Sequence, residues 1–342
     1  MDTGSWRPGV ANLFDPLNVG HLTLKNRIVM PPMANELAGP AGEVTDALVA
    51  HYKRRAAGVG LVIVEHSYVA PDGKSSPRQL GIHDDTLIKG LANLAEAIHE
   101  EGTPACIQIN HAGRKAKRSI CGSQPAGPSA IAANASDEIP RELERHEIQR
   151  FVTLFVEAAR RARKAGFDAV EIHGAHGFLL NQFTSPLSNR RTDEYGGSFE
   201  NRIRFPLEVV EEAGKAIGSD FPLLYRLGAD DGREDGVTIG ESQVFAQRLV
   251  QAGVKIVDVS GGLIGDAPEG IASSQGYFLP LAEKIKQAVQ VPVIGVGGIT
   301  DPSFADDAIK RDRVDLVAVG RALLTNPDWA FTAAKSLSLR GL

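Results

Sequence analysis

Short runs of consecutive apolar residues recur along the chain, each followed by a longer stretch with helical periodicity. Eight runs occur, at residues 27–30, 60–65, 104–110, 168–173, 222–227, 255–260, 292–296 and 315–320. A run that is apolar at nearly every position, rather than every second one, is the pattern of a strand buried on both faces. The clearest helical stretches are 87–101 and 147–165. In the second, Ile148, Val152, Phe155, Val156, Ala159 and Ala162 share one face, with Arg and Lys residues opposite. Gly102, Gly166 and Gly253 follow helical runs, where C-terminal caps are expected.

Eight strand–helix alternations predict an α/β fold, a (β/α)8 TIM barrel, with residues 1–342 forming a single domain. The competing fold, an open doubly wound sheet, requires a glycine-rich phosphate turn after its first strand. Here that strand is followed by Pro31-Pro32-Met33-Ala34. Ahead of it, residues 17–24 predict a small hairpin covering the N-terminal mouth of the barrel. Two long loops, at 113–145 and 174–198, leave the third and fourth strands. Both emerge at the C-terminal ends of strands, the face where barrel enzymes keep their active sites.

A length of 342 residues and a hydrophobic content of 43% suit a one-piece barrel. The net charge of −5 offers no basic surface for nucleic acid. No apolar run approaches the ~20 residues of a membrane span. Residues 1–10 lack the pattern of a signal peptide. These features predict a cytoplasmic protein with a small-molecule partner, neither nucleic acid nor membrane. Cys106 and Cys121 are expected to be reduced thiols, and two cysteines fall short of the roughly four that hold an iron–sulfur cluster.

The strand ends gather Met33, Ala34, Glu65, His66, Gln108, His111, His173, His176, Arg226, Ser260, Gly297, Gly298, Gly320 and Arg321 at one mouth. Gly297-Gly298 follows the seventh strand and Gly320-Arg321 the eighth, the usual place for a phosphate in this architecture. Glycine lets the backbone approach a phosphate closely, and Arg321 adds a charge-assisted bond. Tight turns alone would also explain the glycines. His173 and His176 have a spacing that suits metal ligation, yet no further ligands complete a site, so no metal is expected. As neutral imidazoles they would instead donate to a substrate oxygen as charge develops there. Gln108 would meet a planar heterocycle, or be a satisfied barrel-mouth amide. Arg226 would meet an anionic ring or ribityl chain, or pair with Glu171 or Asp230.

The segment HGAHGFLLNQFTSPLSNRRTDEYGGS at 173–198 resembles the signature loop of the Old Yellow Enzyme family. FENRIRF at 199–205, LFDPL at 13–17, KNRIVMPPM at 25–33 and QINHAGRK at 108–115 are similar too, as are the segments around Gly297 and Arg321. The resemblance spans about residues 12–336 and is greatest to the bacterial thermophilic-like ene reductases. It implies FMN in the barrel mouth, NAD(P)H as reductant, and ping-pong hydride transfer to an α,β-unsaturated carbonyl compound. By position, Pro32, Met33 and Ala34 would flank the flavin, with His66 at its edge. Gln108 would face its pyrimidine side and Arg226 its N1/O2 edge. Gly297, Gly320 and Arg321 would hold its phosphate. His173 and His176 would polarise the substrate carbonyl.

Three positions depart from the family pattern. Ala34 replaces a cysteine that tunes the flavin, Glu36 replaces a substrate-binding tyrosine, and Phe178 replaces the tyrosine that protonates the substrate's α-carbon. Phenylalanine has no proton to give. Replacement donors are His66, Tyr68, Glu36, Tyr277 or water, and His66 ranks first because histidine titrates near neutral pH. The same gap opens other chemistry for this site: dehydrogenation of saturated ketones, amine oxidation, or flavin binding without catalysis. A phosphate-binding lyase or isomerase without flavin would leave Gln108 and the two histidines unused. In the branch resembled, a C-terminal arginine enters a neighbouring subunit's site. Arg340 is placed to do so in a homodimer or homotetramer.

Overall fold

A computed structural model describes residues 11–263 and 274–338. Arg340 lies outside them. Two short strands, β1 (Leu17–Val19) and β2 (Leu22–Leu24), form an antiparallel hairpin turned at Gly20. Eight parallel strands then close a barrel: β3 (Ile28–Met30), β4 (Leu61–Tyr68), β5 (Ala105–Asn110), β8 (Ala169–Gly174), β9 (Leu223–Gly228), β10 (Ile256–Ser260), β11 (Val293–Gly295) and β12 (Leu316–Ala318). The order around the barrel follows the chain, and β12 pairs β3 to close it. This is the TIM barrel expected from the apolar pattern.

Side chains alternate across each strand, so every second residue points inward. The lower layer is apolar and draws on all eight strands: Val29, Leu61, Ile63, Cys106, Ala169, Leu224, Ile256, Ile294 and Leu316 are all buried. Val19, Leu22 and Leu24 of the hairpin pack against this layer, so the hairpin closes the N-terminal mouth. Two residues further along the strands the interior turns polar, with Gln108, Glu171, Arg226 and Asp258 all buried. Cys106 sits on the barrel floor, and both cysteines are free thiols.

The outward residues of the strands meet a ring of amphipathic helices. The longest are α2 (Ile88–His99), α4 (Arg145–Lys164), α7 (Arg204–Ile217) and α8 (Ile239–Gln251). α4 buries Ile148, Phe151, Val152, Phe155 and three alanines, the face its periodicity predicts. A capping box between Glu144 and Glu147 starts it. The predicted glycine caps hold: Gly102, Gly166 and Gly253 have φ of 67°, 85° and 114°.

Two sequence boundaries are corrected. β4 runs three residues beyond the apolar run that predicted it, through His66 and Ser67 to Tyr68. Its register against β5 shifts between Val64 and Ser67. A bulge of this kind re-aims side chains near a barrel rim. The two long loops also carry structure of their own. The first contains α3 (Arg118–Cys121) and a parallel pair of two-residue strands, β6 (Ala126–Gly127) and β7 (Arg141–Glu142). The second contains α5 (Leu179–Thr184), every residue of which is buried.

Candidate active site

The signature loop is polar in sequence yet largely buried, and its side chains satisfy its own backbone. Asn189 donates to the carbonyls of Phe183 and Tyr195, both at 2.7 Å. Gln182 donates to those of Ala112 and Gly177. Arg191 reaches the carbonyls of Leu143 and Pro128 and pairs with Asp193. Ser185 donates to Asp231 at 2.6 Å. These bonds hold a backbone that forms few regular ones. Most of the motif is thus a scaffold that presents His173, His176 and Phe178.

At the rim those three residues meet His66 and Lys115. Ring centroids lie 5.1 Å apart for His173–His176, 4.9 Å for His173–Phe178 and 5.2 Å for His66–Phe178. The Lys115 ammonium sits 5.1 Å from the Phe178 ring centroid and donates to the His176 carbonyl at 3.0 Å. Sequence reasoning missed Lys115, although it closes the QINHAGRK motif. Burial, reinforced by Arg226 and Lys115, holds both His173 and His176 well below the usual imidazole range, so both are neutral. The Ala175 N–H donates to His173 Nδ1, which places the proton on Nε2. Nε2 of His176 pairs with Ser260 Oγ at 2.7 Å.

His66 behaves differently from expectation. Burial lowers its pKa to about 4, so it does not titrate near neutral pH. Gln79 Nε2 donates to its Nδ1 at 2.8 Å, and Asn110 Nδ2 lies 3.3 Å from the same atom. The Gln79 carbonyl oxygen accepts from Ser75, which fixes the amide's orientation. His66 therefore carries its proton on Nε2 as a neutral hydrogen-bond donor rather than an acid.

The other replacement donors separate. Glu36 is exposed beside this cluster, with φ of 57° and its carboxylate accepting from the Arg78 N–H. Tyr68 is not in the cluster. Its hydroxyl donates to the Ala41 carbonyl, its ring stacks on His83, and burial pushes its pKa up to about 12. Tyr277 stands at the opposite end, where its hydroxyl accepts from Arg321 at 3.2 Å. His111 is buried against Phe151, its Nδ1 accepting from the Gly113 N–H.

A cavity of about 480 Å³ opens beside the cluster. Pro32, Met33, Arg226, Gly298, Gly320 and Arg321 are among its lining residues, and Ala34 is exposed just past Met33. Gly297 has φ of 133°, and a Cβ there would lie 2.7 Å from the Tyr277 backbone nitrogen. A Cβ on Gly320 would lie 3.1 Å from Met33 Sδ. A side chain at Gly297 would collide with the Tyr277 backbone, and one at Gly320 would press on Met33 in the cavity wall. Arg226 pairs with Asp258, Nη1 to Oδ2 at 3.4 Å, and not with Glu171 or Asp230. Gln108 donates to Glu171 Oε1 at 2.7 Å. Arg226 Nε, Glu171 Oε2 and both Asp258 oxygens are buried without an ordinary partner. Burial raises the pKa of both carboxyls, whose side chains face one another. Among the described residues no group of histidine, cysteine and acidic side chains could hold a metal, and no helix is long and apolar enough to cross a membrane.

A family model described as "NADH:flavin oxidoreductase / NADH oxidase family" matches residues 12–340. The chain belongs to this family. FMN is the family's cofactor, NADH or NADPH its reductant, and oxidation–reduction its chemistry. An NADPH dehydrogenase of Bacillus subtilis is 42% identical over 328 residues, 95% of each chain. An NADH oxidase of Thermoanaerobacter brockii is 45% identical over 324 residues, 93% of this chain and 50% of that protein. An Old Yellow Enzyme homologue from Zymomonas mobilis superposes with a TM-score of 0.83 at 28% identity, covering 95% of this chain and 93% of that one. 2-Naphthoyl-CoA reductase gives 0.89 at 28% identity, over 95% of this chain and 52% of that one. The chain thus spans about half of two of these relatives and nearly all of the others.

The cavity fits the family's cofactor. The glycine cradle with Arg321 suits its phosphate, and the unmatched Arg226 Nε suits an electron-rich ring edge.

Glu65, beside His66, gives a test of the rim's electrostatics. Its carboxylate accepts from the Asn35 N–H, yet burial raises its pKa to about 7. The folded state therefore holds this proton more tightly than the unfolded chain does. The resulting stability is complete below the ordinary carboxyl range and is lost as pH rises through about 7. Glu65→Gln removes that loss. Denaturation across this window should show the variant gaining on the parent by up to about 3 kcal/mol as pH rises. A constant difference would mean the carboxyl is not desolvated as described.

Proposed function

We propose that this protein is an FMN-dependent NAD(P)H oxidoreductase that reduces the activated C=C bond of an α,β-unsaturated carbonyl compound by ping-pong hydride transfer. The carrying observation is the pair His173 and His176, ring centroids 5.1 Å apart, with Arg226 of the cavity wall in register beside His173 and Lys115 bonded to the His176 carbonyl. FMN, when bound, supplies hydride to the substrate's β-carbon. His173 Nε2–H and the His176 ring hold the carbonyl oxygen, where negative charge develops as the β-carbon is reduced. Donors without net charge leave the oxygen free to depart after protonation. Lys115 adds positive potential at the same place. Met33 and Pro32 wall the cofactor cavity, and Arg226 favours an anionic reduced ring. The reading includes assembly as a homodimer or homotetramer.

Phe178 stands where the family's proton donor is expected, and His66 is held neutral beside it. In this reading the α-carbon takes its proton from water. A second reading follows from the same gap. A site without a strong acid also suits the reverse reaction, dehydrogenation of a saturated ketone. Anaerobic reduction of the holoenzyme by NADPH, followed by mixing with 2-cyclohexenone, separates these readings. Rapid return of oxidised flavin absorbance is expected. Reduction without reoxidation would favour the reverse direction or amine oxidation, and failure of NADPH to reduce the flavin would mean a barrel that has lost catalysis.

A further inference from the structure

A second cavity, of about 780 Å³, is lined by His176 and Lys115 and by none of the residues that line the first. It shares His176 and Lys115 with the cluster, so a molecule reacting at the histidines can extend into it. Its walls come from the loops after β5, β8, β9 and β10. Ile131, Ala132 and Ala133 supply an apolar side, and Arg114, Lys115, Arg190 and Arg233 supply cations. Among the described lining residues two carboxylates, Asp231 and Asp235, join them. Both are already engaged. Asp231 accepts from Ser185 Oγ and from the N–H groups of Val237 and Leu263, while Asp235 lies 3.6 Å from Arg233.

Arg114 is the most buried of these cations. It is 7% exposed. Its Nη1 reaches the carbonyls of Ile131 and Ala132 at 3.4 and 3.3 Å, and its Nε is buried with no partner. Burial lowers its pKa against the attraction of Asp231 and Asp137, and among the described residues neither carboxylate comes within ion-pair distance of it. A buried guanidinium that no carboxylate touches directly is costly unless a bound anion joins it. This one faces a cavity rich in cations, on a chain whose net charge is −5.

The geometry points to a binding site for the anionic tail, a phosphate ester or carboxylate, of a redox partner whose reacting carbon lies at His173 and His176. The inference rests on the proposed function for the reacting end only. Two molecules carry such a tail, the nicotinamide coenzyme and an anionic oxidising substrate.

The test compares the holoenzyme with its Arg190→Gln/Arg233→Gln variant, since both side chains are exposed and their loss spares the core. Anaerobic stopped-flow follows reduction by NADPH and by uncharged 1-benzyl-1,4-dihydronicotinamide. It also follows reoxidation by a cyclohexenone bearing a carboxyalkyl chain and by its methyl ester. The anionic-to-neutral ratio of kcat/KM is expected to fall about tenfold in one pair, the size of one charge-assisted hydrogen bond. The wild-type preference should shrink with added salt. A fall confined to NADPH assigns the tail to the coenzyme, and a fall confined to the enone acid assigns it to the substrate. Unchanged ratios in both pairs overturn the proposal. Titration of the oxidised holoenzyme with the saturated keto acid and its ester, read by flavin absorbance, needs no turnover. Preferential binding of the acid without reoxidation by any enone would sink the ene-reductase reading and leave the anion site standing. Equal binding of acid and ester in a protein that does reduce enones would remove a substrate tail from the site, and unchanged NADPH ratios would then remove the site itself.

Discussion

Phe178→Tyr is expected to speed the reoxidation of NADPH-reduced enzyme by 2-cyclohexenone about a hundredfold, the lower end of what a positioned general acid contributes. The ring already lies 5.2 Å from His66 and 4.9 Å from His173, centroid to centroid. The Lys115 ammonium, 5.1 Å from its centroid, would lower the pKa of a phenol placed there and strengthen it as an acid. The reductive half-reaction needs no proton at the α-carbon, so the gain belongs to reoxidation alone. Stopped-flow measurement of the two half-reactions separates them. An unchanged reoxidation rate would mean that water already protonates the substrate faster than hydride arrives, and that Phe178 is no handicap. Equal acceleration of both half-reactions would mean that the substitution acts by repacking the rim rather than by supplying a proton.

Phe178 is singled out in the sequence because it sits inside a segment that otherwise resembles the family's signature loop. The barrel was legible for a related reason: each strand is buried on both faces and announces itself by composition alone. What the sequence concealed depends on distance in space. The β4 bulge falls at Glu65-His66, where polar residues read as a strand ending, yet the strand continues to Tyr68. His66 looks like a titrating histidine until its burial and its amide neighbours from residues 79 and 110 are known. Tyr68 lies two residues from His66, and the strand carries its hydroxyl away to Ala41. The polarity of 181–191 reads as chemistry and proves mostly to be backbone satisfaction. Asp258 was invisible as a partner for Arg226 because it lies on the neighbouring strand in register, a relation that only the closed sheet creates.

That last pair sets the second large effect. Arg226→Met is expected to destabilise the protein by about 3 to 5 kcal/mol above neutral pH, the cost of stranding one member of a buried ion pair. It should also abolish tight FMN binding. Asp258 is fully buried, and its oxygens have no other ordinary donor. Attraction to Arg226, ahead of the facing Glu171 carboxyl, opposes the rise in its pKa caused by burial. Without the guanidinium the carboxyl would be driven further toward its neutral form, which escapes the desolvation penalty. The sign of the pH dependence follows. A carboxyl whose folded pKa exceeds its unfolded value loses stabilisation as pH rises, so the variant should lose most stability at high pH and recover part of it on acidification. Arg226→Met/Asp258→Asn removes both charges together and should regain most of the lost stability while remaining unable to hold the flavin. Denaturant unfolding of the flavin-free proteins at two pH values, with fluorescence titration by FMN, reads both quantities separately. If the double variant were as unstable as the single one, Arg226 would be stabilising the barrel through packing rather than through Asp258. If the single variant kept its flavin, the guanidinium would belong to the barrel's internal charge balance and not to the cofactor.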